Sequence, residues 1–188
     1  MHDLIAITPL GSDKARTDTF PGLTISENPD GALASLSTRP GHEKAAQTAA
    51  KAFLGAALPT VGKMTTKGDF ITFWTGPDQW VVQAPHDSYE DLAAQLKTAV
   101  SDTASVTEQT DGWAQFDLTG PNARAALERL CNVDTHKMQS GESARSSVEH
   151  LGCFVLCHEQ GERYSIIGPR SSAASLHHAL CATAISVT

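Results

Sequence analysis

Short stretches of alternating hydrophobic and polar residues, each followed by a helical pattern, recur along this sequence. The first, ALASLSTR at residues 32–39, alternates as a half-buried strand does, and Pro40-Gly41 ends it. The Ala-rich stretch HEKAAQTAAKAFLGAAL then predicts a helix that ends before Pro59. The pattern therefore begins with a strand–helix unit.

A hairpin and a second helix are predicted next. DFITFWTGPDQWVVQAP contains two short strand-like stretches, residues 70–74 and 79–83, on either side of a Gly-Pro-Asp turn. This arrangement is typical of paired antiparallel strands. SYEDLAAQLKTAV follows as a helix, because Leu92, Leu96 and Val100 recur at helical spacing and form one apolar stripe.

The same order of elements recurs in the second half of the chain. WAQFDLTG, residues 113–120, alternates as a strand, and PNARAALERLC predicts a helix with Pro121 at a favoured first position. EHLGCFVLCHEQGERYSIIGP predicts two strands on either side of residues 159–162. SSAASLHHALCATA predicts the last helix.

The two halves align without a gap where the second strand of each hairpin leads into a helix. Trp80-Val-Val-Gln-Ala-Pro85 corresponds to Tyr164-Ser-Ile-Ile-Gly-Pro169, and a Leu follows each of these prolines at the same two distances. We therefore predict an α+β fold of duplicated strand-helix-strand-strand-helix (ferredoxin-like) halves. Each half would pack two helices against a mostly antiparallel sheet.

The duplication also predicts the domain boundaries. Residues 31–188 should form a single domain of two pseudo-repeats, about 31–105 and 110–188. Residues 1–30 are rich in Gly, Pro, Ser and Asp, and we predict that they form an irregular arm over the surface or toward a partner.

Composition excludes some classes of partner. The 188 residues include 21 acidic and 14 basic ones, which gives a net charge of −7 without a basic cluster. This argues against binding to nucleic acid or to an anionic membrane surface. No stretch resembles a membrane span or a signal peptide. The four cysteines are then typical of reduced thiols, and we expect a cytoplasmic protein.

We predict structural or interface roles for three Gly-Pro pairs and two tryptophans. The Gly-Pro pairs predict structural turns that aim the next element, and they are Gly76-Pro77, Gly120-Pro121 and Gly168-Pro169. Trp74 and Trp80 flank one hairpin turn, so they are candidates for an interface, although core packing is the commoner role of tryptophan.

The search for catalytic and metal-binding motifs assigns no site. No stretch matches a Gly-rich phosphate-binding loop or a nucleophile elbow. Cys153 and Cys157 lie on one predicted strand, about 13 Å apart, which is too far for one zinc ion. His177 and Cys181 are four residues apart on a helix and could chelate an ion, but the sequence offers no third ligand.

Several motifs together resemble a known superfamily. FDLTGPNARAALERLCNVD, residues 116–134, is similar to the GP-x-A-x-x-x-L strand–turn–helix of the glycine cleavage T-protein (aminomethyltransferase) superfamily. WTGPDQW precedes this stretch, NVDTH overlaps its end and continues past it, and GPRS follows near the end of the sequence. In this order the motifs resemble the gamma-subunit family of heterotetrameric sarcosine oxidase, from about Pro9 to Ala182.

The resemblance implies a non-catalytic assembly subunit with no cofactor of its own. In that family an alpha subunit carries NAD and a tetrahydrofolate region, and a beta subunit carries FAD. FMN lies between these two subunits, and a small delta subunit binds zinc. The complex oxidises sarcosine to glycine and forms hydrogen peroxide and, with tetrahydrofolate, methylenetetrahydrofolate.

Two other functions remain open at the level of the sequence. One is a free-standing folate-binding protein or aminomethyltransferase-like enzyme, for which Asp111, Asp117 and Asp134 are the candidate carboxylates. Asp134 and His136 could also form an acid–base pair, although a turn-capping Asp beside a solvated His is the commoner arrangement. The other function is metal binding by Cys157, His158, His177 and Cys181.

Overall fold

The computed structural model describes residues 5–188 and divides into two compact units. Unit 1 contains the described residues up to Pro29, together with Asp111–Ser140 and Arg145–Thr188. Unit 2 contains Asp30–Thr110 and Gly141–Ala144. The first four residues of the predicted arm lie outside the described part of the chain.

The strands and helices follow one another in the order that the duplication predicts, with additional strands. In chain order they are β1 (Thr17–Phe20), β2 (Leu23–Asn28), β3 (Gly31–Thr38), α1 (Glu43–Leu54), β4 (Met64–Lys67), β5 (Phe70–Gly76), β6 (Gln79–Pro85), α2 (Leu92–Val100), β7 (Ala104–Glu108), β8 (Trp113–Thr119), α3 (Ala123–Leu130), β9 (Glu142–Val148), β10 (Leu151–Glu159), β11 (Arg163–Pro169) and α4 (Ala173–Val187).

Unit 2 contains a five-stranded sheet in the order β4-β5-β6-β3-β7. Its pairings are antiparallel. The run β3-α1-β5-β6-α2-β7 has the ferredoxin-like order, because β3 lies in the sheet between the hairpin and the last strand. The two helices cover one face, where α2 contributes Leu92, Leu96 and Val100 to the core, all with no exposed surface. The predicted apolar stripe of this helix is confirmed.

Unit 1 contains a six-stranded sheet in the order β1-β2-β8-β11-β10-β9. Its core lies between this sheet and helices α3 and α4, and it includes Phe116, Leu118, Leu127 and Leu176 without exposed surface. Trp113 pairs with Pro169 in this sheet, as Gly31 pairs with Pro85 in the sheet of unit 2. The predicted duplication and the predicted α+β class are therefore confirmed.

The prediction of an irregular arm is wrong for residues 17–28, which form β1 and β2. The reason lies in the duplication. In unit 2, β7 follows α2 and pairs with β3, whereas within residues 5–188 no strand follows α4 in unit 1. β2 occupies the corresponding place and pairs with β8 from Thr24 to Asn28, so the backbone of β8 is hydrogen-bonded on both sides.

Residues 5–16 before β1 are held by a buried carboxylate. Glu27 has 5% of its surface exposed and accepts hydrogen bonds from the backbone N–H groups of Leu10, at 2.9 Å, and Arg16, at 3.0 Å. Two donors on one carboxylate compensate the cost of burying its charge. These two hydrogen bonds connect the segment before β1 to β2.

Candidate functional site

The three Gly-Pro pairs occupy different kinds of position. Gly76 ends β5, and Pro77 with Asp78 makes the turn to β6. Gly120 and Pro121 connect β8 to α3 as predicted. Gly168 and Pro169, in contrast, end strand β11 and are not in a turn. Gly168 allows close packing there, because an added Cβ would come 2.7 Å from Leu176 Cδ2 on α4 and 3.0 Å from Cys153 Sγ.

The two tryptophans differ in exposure, although both line a groove in unit 2. Trp80 is 5% exposed, and its indole N–H donates to the carbonyl of Pro59 at 2.8 Å, so it belongs to the core. Trp74 is half-buried and lies beside an open groove of about 720 Å³. Val61 on the groove rim has 72% of its surface exposed.

Helix α1 adds positive charge to the groove. Lys44 and Lys51 lie on one face of α1 and line the groove, with Asp78 as its acidic residue. Among residues 5–188, neither lysine makes an ion pair. The groove thus combines an aromatic wall and an exposed apolar side chain with two available ammonium groups, which are features of binding surfaces.

A polar network lies on the sheet of unit 1, on the face opposite its helices. Asp117 accepts hydrogen bonds at Oδ1 from Ser165 Oγ, at 2.5 Å, and Gln115 Nε2, at 2.9 Å. Its Oδ2 accepts from Asn28 Nδ2 at 2.9 Å. His158 Nε2 lies 2.8 Å from Ser165 Oγ. Of the three candidate carboxylates, Asp117 is the one that neighbouring side chains hold in place.

The direction of these hydrogen bonds limits the chemistry of the network. The Ser165 hydroxyl donates to Asp117, so its proton is not directed at His158, and His158 Nε2 can approach the serine oxygen as a donor in the tautomer that carries its hydrogen there. A nucleophilic serine requires the opposite arrangement, in which histidine accepts the hydroxyl proton. Burial and the nearby charge of Arg163 also lower the pKa of His158, which favours the neutral ring. In this orientation the network presents polar groups that can bind a ligand.

The other two candidate carboxylates are at the surface. Asp111 is 90% exposed and lies 3.4 Å from Arg170. Asp134 forms an ion pair with Lys137, and this lysine lowers the pKa of the carboxyl. His136 contacts Glu128 at 2.8 Å instead of Asp134, so the two residues do not form the acid–base pair that the sequence offered.

The four residues of the suggested metal site fall into two separate groups. Cys157 and His158 are neighbours on β10 and therefore point to opposite faces of the sheet. Burial raises the pKa of the Cys153 thiol to about 11, and Cys153 and Cys157 both pack in the core. His177 and Cys181 lie on α4, where Cys181 Sγ is 3.4 Å from His177 Nε2.

The sequence did not identify the third member of this second group. Asp18 on β1 places Oδ2 2.8 Å from His177 Nε2. Arg16 donates to both oxygens of the same carboxylate at 2.9 Å, which lowers the pKa of Asp18. Asp18 was missed because the prediction of an irregular arm gave it no position relative to α4. The alternation of LTISEN in β2 was the available signal.

Within residues 5–188, no helix is both long enough and apolar enough to cross a membrane. The sequence matches no protein-family model. No curated protein matches it either.

Solved structures reveal the similarity that the sequence motifs indicated. A chain of the heterotetrameric sarcosine oxidase from Corynebacterium sp. U-96 superimposes with a TM-score of 0.77 and 20% identity, covering 88% of this chain and 85% of that one. The glycine cleavage system aminomethyltransferase T from Bartonella henselae superimposes with a TM-score of 0.68 and 13% identity, covering 94% of this chain but 57% of that one. The protein thus has the fold shared by a sarcosine oxidase chain and part of an aminomethyltransferase.

Proposed function

We propose that this protein is the gamma-type, non-catalytic subunit of a heterotetrameric sarcosine oxidase in the cytoplasm and that it supports assembly of the complex. Alpha, beta and delta subunits would be its partners and would carry FAD, FMN, NAD, tetrahydrofolate and zinc. The observation that carries this proposal is the extent of the match, because 88% of this chain and 85% of the sarcosine oxidase chain superimpose.

The match to the aminomethyltransferase covers less of the matched protein, because this chain spans 57% of the length of that enzyme. Fold similarity alone does not transfer an activity. The sarcosine oxidase match, which covers 85% of that chain, is therefore the one on which we base the proposal.

The arrangement of reactive side chains also supports a subunit without its own chemistry. Ser165 directs its proton to Asp117 and not to His158. Cys181 and Asp18 both contact the same nitrogen of His177, so the imidazole does not link them as it would in a catalytic triad. In neither cluster does a histidine lie between the nucleophile and the carboxylate with one of them at each ring nitrogen.

The Trp74 groove of unit 2 is the surface that we assign to a partner subunit. Lys44 and Lys51 line it without ion-pair partners among the described residues, although the chain has more acidic than basic residues. By charge complementarity, an acidic segment of the partner with an apolar side chain against Trp74 and Val61 is the occupant that fits.

Co-purification from the native cell tests the proposal. The tagged chain should recover flavin-containing partners whose eluate oxidises sarcosine and produces hydrogen peroxide, whereas the isolated chain should do neither. Sarcosine oxidation by the isolated chain, or an eluate without partners and without this activity, would contradict the subunit proposal.

Asp117 favours one alternative, a free-standing folate-binding protein. Its carboxylate is oriented by three side-chain donors and could bind a ring N–H donor of a pteridine. Tetrahydrofolate binding to the isolated chain at micromolar concentration, weakened by Asp117→Asn and unchanged by the exposed Asp111→Asn, would favour this function. An absence of tetrahydrofolate binding would contradict the folate-binding function and favour the subunit proposal.

A further inference from the structure

Three different metal-binding side chains of unit 1 converge on one point. His177 Nε2 is 2.8 Å from Asp18 Oδ2 and 3.4 Å from Cys181 Sγ, and the three atoms all lie within 4.8 Å of one another. The two contacts to His177 use the same nitrogen. A catalytic Cys–His–Asp relay needs opposite ring nitrogens, whereas ligands of one ion gather around a single point, so the geometry matches ligation and not proton relay.

We propose that Asp18, His177 and Cys181 form a binding site for a single zinc ion. The proposal is independent of the function proposed above. Imidazole nitrogen, thiolate sulfur and carboxylate oxygen are the three donor types that zinc prefers, at about 2.0 to 2.3 Å. In tetrahedral coordination at these bond lengths, two donors lie roughly 3.3 to 3.6 Å apart. The separations from His177 Nε2, 2.8 Å to Asp18 Oδ2 and 3.4 Å to Cys181 Sγ, require shifts of up to about half an ångström. The separation of Asp18 Oδ2 from Cys181 Sγ, which is within 4.8 Å, must come to about 3.6 Å.

The elements around the site hold the ligands and leave access for an ion. His177 and Cys181 are one helical turn apart on α4, so they project from the same side of the helix. The side chain of His177 is 10% exposed and that of Asp18 is 22% exposed, and Cys181 is half-buried. The partial exposure provides an entry path and room for water as the fourth ligand, as in zinc sites with three protein ligands.

Arg16 acts next to the site as a positioning residue. Its Nη2 donates to Oδ1 of Asp18 and its Nε donates to Oδ2, each at 2.9 Å. When zinc occupies Oδ2, the bond to Oδ1 can remain and orient the carboxylate, a role that second-shell partners have in metal sites. Because the Arg16 side chain is 56% exposed, its Nε can turn to water.

The binding step is an exchange of a proton for the metal. Zn²⁺ bonds to the thiolate sulfur of Cys181, to the Asp18 carboxylate and to His177 Nε2. The hydrogen that Nε2 donates to Asp18 in the metal-free site moves through solvent to Nδ1, so the imidazole stays neutral. The thiol proton passes to solvent, and no group is oxidised or reduced. Binding should therefore release about one proton and weaken as pH falls.

Cobalt titration of the untagged chain tests the site, since Co²⁺ replaces Zn²⁺ in tetrahedral sites and absorbs light. One equivalent of Co²⁺ should produce a thiolate-to-cobalt charge-transfer band and intense tetrahedral d–d bands, and one equivalent of Zn²⁺ should abolish both. Cys181→Ser should remove the charge-transfer band. Asp18→Asn and His177→Gln should each weaken affinity more than the roughly 10- to 100-fold that loss of a second-shell partner costs.

Two neighbouring residues provide matched controls. His178 is exposed and adjacent to His177, and Cys131 is a half-buried thiol in the same unit. His178→Gln and Cys131→Ser should leave the titration unchanged. The proposal is overturned if the native chain shows no charge-transfer band, if the band persists in Cys181→Ser, or if His178→Gln weakens binding as much as His177→Gln. Circular dichroism of each variant distinguishes ligand loss from unfolding.

Discussion

At the scale of single residues, Gly120 occupies a position that only glycine can fill. Its φ of +126° lies in a region that other residues rarely adopt, and an added Cβ would come 2.5 Å from the carbonyl oxygen of Gly22. The same carbonyl accepts the backbone N–H of Asn122 at 3.0 Å. The turn between β8 and α3 therefore positions its helix and also contacts the turn between β1 and β2.

Replacing this glycine should destabilise unit 1. Gly120→Ala combines backbone strain with a clash against main chain, and we expect a loss of about 2 to 4 kcal/mol in the free energy of unfolding. Gly152→Ala is the control, because a Cβ there meets no atom within 4 Å. Chemical denaturation measures both. Equal stability of the two variants would show that the turn accommodates a Cβ at residue 120 without a loss in the free energy of unfolding.

His158 should make stability depend on pH. Burial, and then the charge of Arg163, lower its pKa in the folded state below the ordinary value of 6.5. As pH falls below about 6.5, the unfolded chain binds a proton that the folded chain resists, so stability decreases until the folded-state pKa is reached. His158→Gln can still donate a hydrogen bond to Ser165. It should lose this part of the pH dependence, which lies between the folded and unfolded pKa values of His158 in the native chain.

Denaturation of the native chain and of His158→Gln across this pH range measures the effect. His86→Gln is a suitable control, because it changes a histidine of unit 2 outside the network. If His158→Gln retains the full pH dependence of the native chain, the histidine titrates alike in both states and the expectation is wrong.

At the scale of elements, the N-terminal hairpin shows what a local pattern can and cannot predict. Hairpins and helices of the two halves were predicted because their hydrophobic repeats are long and bounded by Gly or Pro. β1 and β2 were missed because β2 pairs with the edge of β8, which lies about 90 residues further along the chain. The alternation of LTISEN indicates a strand, but the local sequence does not identify β8 as its pairing partner.

Glu27 is the residue that connects this hairpin to the preceding segment. Glu27→Gln replaces one acceptor oxygen by an NH₂ group that faces a backbone N–H, so one of the two bonds to Leu10 and Arg16 is lost. We expect a loss of about 1 to 3 kcal/mol. Hydrogen exchange at these two amides should accelerate more than exchange in unit 2.

Glu162→Gln provides the comparison for this substitution, because Glu162 is exposed and lies in the same unit. It should change stability by less than about 0.5 kcal/mol. An equal effect of the two substitutions would mean that the net charge, and not the bonds to the segment, accounts for the result.

At the scale of the whole molecule, the candidate sites were less predictable than the fold. His177 and Cys181 could be paired from their helical spacing, but Asp18 joins them only through the sheet. In the sequence, nothing distinguished Asp117 from the other two candidate carboxylates. In the structure, Asn28, Gln115 and Ser165 donate hydrogen bonds to it. Side chains from distant strands meet in these sites, and no spacing rule along the chain encodes such a meeting.

The groove of unit 2 provides the last prediction, which separates assembly from folding. Lys44 and Lys51 are exposed, and reversing both charges in Lys44→Glu/Lys51→Glu leaves the core around Trp80 intact. Placing like charges against an acidic partner segment should reduce the sarcosine-oxidising activity recovered with the tagged chain at least about tenfold.

Lys14→Glu/Lys67→Glu makes the same change in net charge at exposed lysines that do not line the groove, and it should recover activity normally. Equal losses in the two double variants would assign the effect to the overall charge of the chain, because long-range repulsion acts on any surface. Normal recovery with both would exclude the groove as a contact. A loss confined to Lys44→Glu/Lys51→Glu, with unchanged circular dichroism, would place a partner subunit at the Trp74 groove, since the fold and the net charge would then be the same in both variants.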